Sequence, residues 1–362
     1  MKPFLFALFS LVAITSQAQY ISGFQQEYFY GNLPSAKVEA MGMADVAVGG
    51  SVASIFFNSA GLSSIEEQEA YISTSAPFYV LENSRYLFLG YARRINPWLV
   101  TSLSINRFSI GATSFGVNLN GNNYLVTKGV TTNYALSAAA SPIDNLSVGL
   151  NVNIFRWNIF EDISASHALH LDVGAQYKIE LPDIGTIIHH AQLGVSLNNF
   201  TSNSITWSVP NEIEGSNELP FIGRFGAAYF VKIPVELPKI GEGSIDVTAT
   251  TEYAPTFNSD EFNTFSIGTE AMLYQMLAVR LGWFNQTIDD FNNSLNLSSI
   301  QDFTYGFGLV VPVNKLTKDK FPMLVHIDYT NLQQPPQTTL VRSIPNLSTF
   351  SIRAVWTPKT QG

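Results

Sequence analysis

Apolar and polar side chains alternate strictly along this chain, in runs long enough to be membrane strands. From Asn145 to Ile154, Leu146, Val148, Leu150, Val152 and Ile154 fall on one face, and Asn145, Ser147, Gly149, Asn151 and Asn153 on the other. Successive side chains of a strand point to opposite sides, so this is a sheet with one apolar and one polar face. Leu169 to Ile179, Ala191 to Asn198 and Ile245 to Tyr253 repeat the pattern. About 14 strands can be laid down this way, at 69–79, 86–94, 98–111, 129–141, 145–158, 167–179, 189–200, 220–232, 243–255, 262–273, 276–286, 302–313, 322–332 and 347–357. Many reach the roughly 9–11 residues of a tilted membrane strand, against roughly 5–6 for soluble sheets. An even strand number is the rule for single-chain bacterial barrels. The predicted fold is therefore all-β: a transmembrane antiparallel β-barrel of about 14 strands.

Composition agrees. Charged residues make up 13% of the chain, about half the usual share of roughly 25%, and aromatics another 13%. Past the first residues, no apolar run reaches the ~18 residues a spanning helix needs. The net charge of −9 argues against a nucleic-acid role, which requires a basic face. There is no Cys, which removes disulfides, thiolate metal sites and Cys nucleophiles.

The connections form two sets. Ile95 to Pro97, Pro142 to Asp144 and Tyr274-Gln275 are short, with 180–188, 233–242 and 314–321 longer members of that set. The other set, 112–128, 159–166, 201–219, 287–301 and 333–346, is long and rich in Asn, Ser and Thr. Short turns at one end and long loops at the other is the bacterial outer-membrane pattern. It predicts extracellular long loops and periplasmic termini. Trp98, Trp157, Trp283 and Trp356 fall near strand ends, where amphipathic rings meet headgroups.

The first 18 residues read as a secretory signal peptide: Lys2, an apolar run from Phe4 to Ile14, and Ser16-Gln17-Ala18 before the cut. The expected organisation is signal peptide 1–18, N-terminal arm and plug 19–66, and barrel 67–362. Within the middle part, Ala40 to Leu62 (AMGMADVAVGGSVASIFFNSAGL) is small and apolar, with Asp45 its one ionised residue. Small residues let backbone pack closely on backbone, so this segment is expected inside the barrel. Asp45 and Asn58 are expected to meet interior charges such as Arg156, Arg224 or Arg353.

That segment resembles the N-terminal motif of the PorV/PorQ family, within the superfamily of FadL-type long-chain fatty-acid transporters. Ala40-Met41-Gly42 and Ala44 match its start, and Asn58-Ser59-Ala60-Gly61-Leu62 its end, with Ser59 where Pro is usual. The resemblance implies a 14-stranded outer-membrane barrel with a lumenal plug whose motif residues are Met41, Gly42, Asp45, Asn58, Ala60, Gly61 and Leu62. For PorV-like proteins it implies a component of the type IX secretion system, docked beside a larger translocon barrel and binding secreted cargo. For FadL-like proteins it implies passage of hydrophobic small molecules through a lateral opening in the wall, which calls for a strand kink and an apolar pocket above the plug. Gly111, Gly116 and Pro255 are candidate breaks.

No catalytic or cofactor pattern stands out, and no enzyme, cofactor or metal is expected. His189-His190 is a tandem pair whose side chains diverge on a strand. His167 and His170 lack a zinc-site context. The polar-face residues Arg156, Asp172, Lys178, Arg224, Asp246, Glu252, Glu270, Arg280, Asp328 and Arg353 are expected inside, pairing with one another and anchoring the plug. Partner contacts are expected on the outer loops, with Phe115, Tyr124, Trp207 and Phe291 as anchors.

Overall fold

The computed structural model describes residues 35–76, 84–115, 125–158, 164–165, 167–201, 204–209, 213–237, 241–258, 263–287, 299–318, 320–332 and 347–356. The expected signal peptide and most of the arm lie outside these residues. A short helix, α1 (Ala36–Ala40), and two 3-10 turns, Val52–Phe56 and Ser59–Ser64, precede the strands.

The strands are β1 (Gln68–Ala76), β2 (Ser84–Asn96), β3 (Leu99–Phe115), β4 (Leu125–Ile143), β5 (Leu146–Asn158), β6 (Ser164–Ala165), β7 (His167–Glu180), β8 (Ile188–Asn198) and β9 (Ser204–Val209). There follow β10 (Ile213–Glu218), β11 (Ile222–Leu237), β12 (Gly241–Ala254), β13 (Thr264–Leu273), β14 (Leu277–Thr287), β15 (Ser299–Pro312), β16 (Met323–Leu332) and β17 (Leu347–Trp356). A four-residue helix, α2 (Val313–Leu316), joins β15 to β16. Fourteen strands close into one antiparallel barrel, with β1 pairing β17 over Gln68↔Trp356 to Ala76↔Ser348. The remaining three form a separate sheet in the order β10-β9-β6.

Alternation sorts the side chains as the pattern requires. Outward positions carry exposed apolar groups, among them Leu103, Leu136, Ile154, Leu169, Tyr253, Leu281 and Phe307. Inward positions are buried and polar, among them Asn106, Asn151, Thr248, Glu252, Ser266, Thr304 and Ser351. A closed ring leaves no unpaired strand edge, and a polar-in, apolar-out wall is what lipid selects. The register Gln68↔Trp356 and Gln68↔Arg93 puts the start of β1 and the end of β17 level with the β2–β3 turn, so both open ends lie at the short-turn end.

Four expectations change. Residues 112–128 are not one long loop: β3 runs on to Phe115 and β4 begins at Leu125, paired to the end as Phe115↔Leu125. The 201–219 connection is a hairpin, β9–β10, joined by β6 from the 159–166 connection through Ser164↔Ser208 and Ala165↔Trp207. Ile205, Thr206, Trp207 and Val209 are strand formers that polar neighbours had made look like loop. Likewise β15 begins at Ser299, inside the expected 287–301 loop. Finally, Arg156 faces outward, exposed, in the same row parity as Ile154. Period two leaves it no route to the lumen.

Candidate functional site

Residues 35–65 are buried almost throughout and bonded to the polar face of the wall. At the start, Ala36 N donates to Ser351 Oγ (3.0 Å) on β17, and Ser35 Oγ meets Tyr71 OH (3.1 Å) on β1. Gly42 N donates to Thr304 Oγ1 (3.0 Å) on β15, and that hydroxyl donates to Ala40 O (3.0 Å). The amides of Asp45 and Val46 both donate to Glu252 Oε2, each at 2.9 Å. Val52 N donates to Glu69 Oε1 (2.8 Å). Asn151 Nδ2 donates to Ile55 O (2.6 Å), and Arg353 Nη1 to Gly50 O (2.9 Å). The segment thus finds partners on strands around the ring, satisfying backbone groups that have neither helix nor sheet to pair them.

Asn58 is the node of its own half. Its Nδ2 donates to Val46 O and to Ala175 O on β7, both at 2.9 Å, and its Oδ1 accepts from Ala60 N at 3.1 Å. It therefore meets backbone carbonyls rather than interior charges, which corrects the expected pairing. Asp45 likewise reaches Glu252 through its backbone, while its Oδ2 has no hydrogen-bond partner. Burial pushes the Asp45 carboxyl up to about 7 and the Glu39 carboxyl up to about 8.

Close approach depends on glycine. Gly42 sits at φ +67°, and a Cβ there would lie 2.6 Å from Trp283 O. On the wall, a Cβ at Gly282 would strike Gly42 N and Met41 C, and one at Gly194 would strike Val46 O. Gly149 and Gly174 meet Ala60 and Asn58 in the same way. Gly61 packs on Gly49, and its carbonyl accepts from Gly50 N at 3.0 Å. Leu62 joins Val52, Ile55, Tyr71, Phe88, Ala92 and Val100 in an apolar cluster that fixes the segment to β1–β3. Met41 is fully buried beside Gly268.

Several charges inside are paired in short chains, whereas Asp246 Oδ1, expected to pair, is buried without a hydrogen-bond partner. Lys37 reaches Glu270 (3.7 Å), Glu270 accepts from Arg280 Nε (2.5 Å), and Arg280 Nη1 donates to Asp328 (2.7 Å). Arg224 Nη1 donates to Glu252 Oε1 at 2.6 Å. Asp172 accepts from Asn151, Asn153 and the Asn199 amide. The sequence pattern places Asp172, Arg224, Glu252, Glu270, Arg280 and Asp328 inside and Asn151 and Asn153 on the polar face, but it misses Glu69, Glu39, Asn106 and Asn133. The recurrence of Asn on the polar face was the available signal.

Two lumenal cavities lie above the segment, each of about 30 Å³. One is lined by Phe57, Arg224 and Glu252, the other by Asn106, Asn133, Asn153 and Asp172. Each has room for one or two waters. Asn106 Oδ1 and Nδ2 and Asn133 Oδ1 are buried beside the second without hydrogen-bond partners in the protein.

Among the described residues, the wall is irregular at one place away from the turns. Between Ile110↔Gly129 and Thr113↔Thr127, two residues of β3, Gly111 and Ala112, oppose the single Lys128 of β4. Such a bulge bends a strand and interrupts its ladder. Just below it, Phe108 stacks on the fully buried Tyr86, with ring centroids 4.4 Å apart.

The other expected residues are accounted for as follows. Phe115 ends β3 and Trp207 lies in β9, in a strand pair rather than a loop. Tyr124 and Phe291 lie outside the described residues, as does Gly116. Pro255 follows β12 at the rim. His189 bonds Pro182 O (2.9 Å) and Tyr229 OH (2.8 Å), and His190 stacks on Phe230. Among the described residues no cluster of His, Asp or Glu could hold a metal.

No protein-family model and no curated protein matches the sequence. Among solved structures, the chain is similar to the toluene transporter TbuX of Ralstonia pickettii at 11% identity, covering 91% of this chain and 98% of that one, with a TM-score of 0.44. It is similar to the toluene transporter TodX of Pseudomonas putida at 11% identity over 94% and 98% of the two chains, with a TM-score of 0.43. It is similar to a FadL homologue of Pseudomonas aeruginosa at 10% identity over 90% and 98%, again with a TM-score of 0.43.

Proposed function

We propose that this protein is an outer-membrane barrel that passes hydrophobic small molecules laterally through its wall, with residues 35–65 closing the lumen beneath. The observation that carries the reading is the β3–β4 bulge at Gly111-Ala112, set beside the inward stack of Phe108 on Tyr86. A closed, fully paired wall gives an apolar solute no way into the bilayer. A local break in pairing beyond Arg107, at the outer edge of the apolar band and with aromatic rings beneath it, offers one at the outer interface.

Deleting Ala112 restores the register, because it removes the extra residue between the Ile110 and Thr113 pairs. Uptake of a radiolabelled long-chain fatty acid, and of toluene, would be followed in cells expressing either form, with the folded barrel quantified by its resistance to unfolding on a gel. Uptake by the parent that is lost on deletion supports the reading. No uptake by the parent, or equal uptake by both, overturns it.

A second reading is a PorV-like role, in which the barrel docks a translocon or secreted cargo in type IX secretion. It is favoured by the three-stranded sheet β10-β9-β6, which gathers two long connections into one folded surface. Deleting 204–216 should then abolish partner recovery in mild detergent while leaving the barrel intact.

A further inference from the structure

We propose that the outer face of β2–β5 holds a phosphorylated lipid of the outer leaflet, its phosphate between Arg107 and Arg156 and its acyl chains in the apolar groove below. The proposal rests on reading the barrel as spanning a membrane, but not on what the barrel transports. Arg107 pairs with Thr132, and Thr132 with Arg156, so the three stand in one row across β3, β4 and β5. Both arginines point outward and are exposed, and Thr132 is buried between them. The next strand continues the row with an exposed His167, through Arg156↔His167. Arg85, also exposed, stands diagonally from Arg107 on β2.

An arginine on a lipid-facing wall is ordinarily unfavourable, by roughly 2–4 kcal/mol at mid-bilayer and close to nothing at the interface. Position resolves this. Arg156 lies ten residues beyond Leu146, which starts β5 at the short-turn end. At about 3.4 Å per residue and a tilt of about 40°, that is roughly 26 Å of height, the thickness of the apolar band. The arginines therefore stand at the outer headgroup level. β2, β3, β4 and β5 contain no Asp or Glu, so no carboxylate on these strands competes for them. Their backbones are about 10 Å apart, two strand spacings, and two long side chains can close that gap on one phosphate.

Directly beneath the row, the wall is concave and apolar. A groove of about 840 Å³ opens on the outside, lined one row down by Ile105, Tyr134 and Ile154 and two rows down by Leu103, Leu136 and Val152. A concave apolar face in contact with lipid is filled by acyl chain, and chains ordered there hang from a headgroup at the height of the arginines. Anion above and hydrocarbon below is the chemistry of a phosphorylated lipid, and the two features overlap on β3, β4 and β5, from which the groove continues over β2 and β1 to β17.

The test uses full-length protein purified in mild detergent, delipidated, and titrated by native mass spectrometry with bisphosphorylated lipid A and with its dephosphorylated form. Two variants accompany it: R107Q/R156Q, which removes the charges, and L136W, which fills the groove. The expected result is binding of the phosphorylated form, weakened roughly five- to tenfold per arginine removed and lost in L136W. Equal binding of the dephosphorylated form, or unchanged binding by R107Q/R156Q, overturns the proposal. So does a lipid-free dimer of the parent that L136W dissociates, which would make the groove a seat for a second copy. Insertion of each form into liposomes, read by resistance to unfolding on a gel, separates failure of this site from failure of the membrane reading itself.

Discussion

Arg224 and Glu252 face each other inside the barrel, Nη1 to Oε1 at 2.6 Å, while the other oxygen of Glu252 accepts the amides of Asp45 and Val46. One carboxylate thus neutralises a wall arginine and holds the N-terminal segment at its midpoint. Arg224 also lies over the Phe57 ring, 4.8 Å from its centroid, so the pair grips the segment at two points.

Replacing Glu252 should therefore be severe, and graded. Glu252→Ala leaves a buried guanidinium and two amides without their acceptor, a loss of roughly 3–5 kcal/mol. Glu252→Gln keeps an acceptor oxygen but not the charge, and should lose about half as much. The temperature at which the folded band disappears on a gel should fall in the order parent, Gln, Ala. Equal values for all three would show that the segment is held elsewhere.

Docking of the segment should weaken as pH rises. The Glu39 and Asp45 carboxyls are pushed up to about 8 and about 7 when buried, against ordinary values near 4 when released. The docked form therefore holds protons that the released form gives up between about pH 4 and about pH 8, so stability falls across that window and levels off above it. Amide exchange over 36–46, corrected for its intrinsic pH dependence, should show less protection at about pH 9 than at about pH 5. Glu39→Gln should flatten part of the difference.

Wall glycines should be intolerant where the segment touches them. A Cβ at Gly282 would fall on Gly42 N and Met41 C, whereas one at Gly185, in a turn, meets nothing within 4 Å. Gly282→Ala should displace the segment at a cost of roughly 1–3 kcal/mol. Faster amide exchange over 40–46, with strand amides unchanged, would be the signature. Gly185→Ala, on the other hand, meets backbone strain alone at φ +64° and should leave the segment undisturbed.

At Asn58 the sign of the side chain matters more than its size. Its Nδ2 donates to two carbonyls, Val46 O and Ala175 O. Asn58→Asp puts a carboxylate against both, and Asn58→Ala only removes the donor. The aspartate should be the worse by at least about 1–3 kcal/mol, the desolvation of an unmatched buried acceptor. Indistinguishable melting of the two would mean that Asn58 is solvated in the folded protein.

The sequence by itself determined the barrel. Period-two alternation can be satisfied by a sheet with lipid on one side and polar contents on the other, and the observed strands keep to the expected spans within a few residues: β7 at His167–Glu180 against 167–179, and β13 at Thr264–Leu273 against 262–273. It determined too which wall residues face inward, and where that failed, at Arg156, the same period supplies the correction. Tertiary structure alone decided the partners. Glu252 serves Asp45 and Val46 across more than 200 residues of chain, and Gly282 exists for Gly42 across 240. Such pairs are set by the ring's closure and register, which place strands far apart in sequence around one segment. The row Arg107, Thr132, Arg156 is decided in the same way: three residues of unrelated spacing become neighbours only once β3, β4 and β5 are paired in their register.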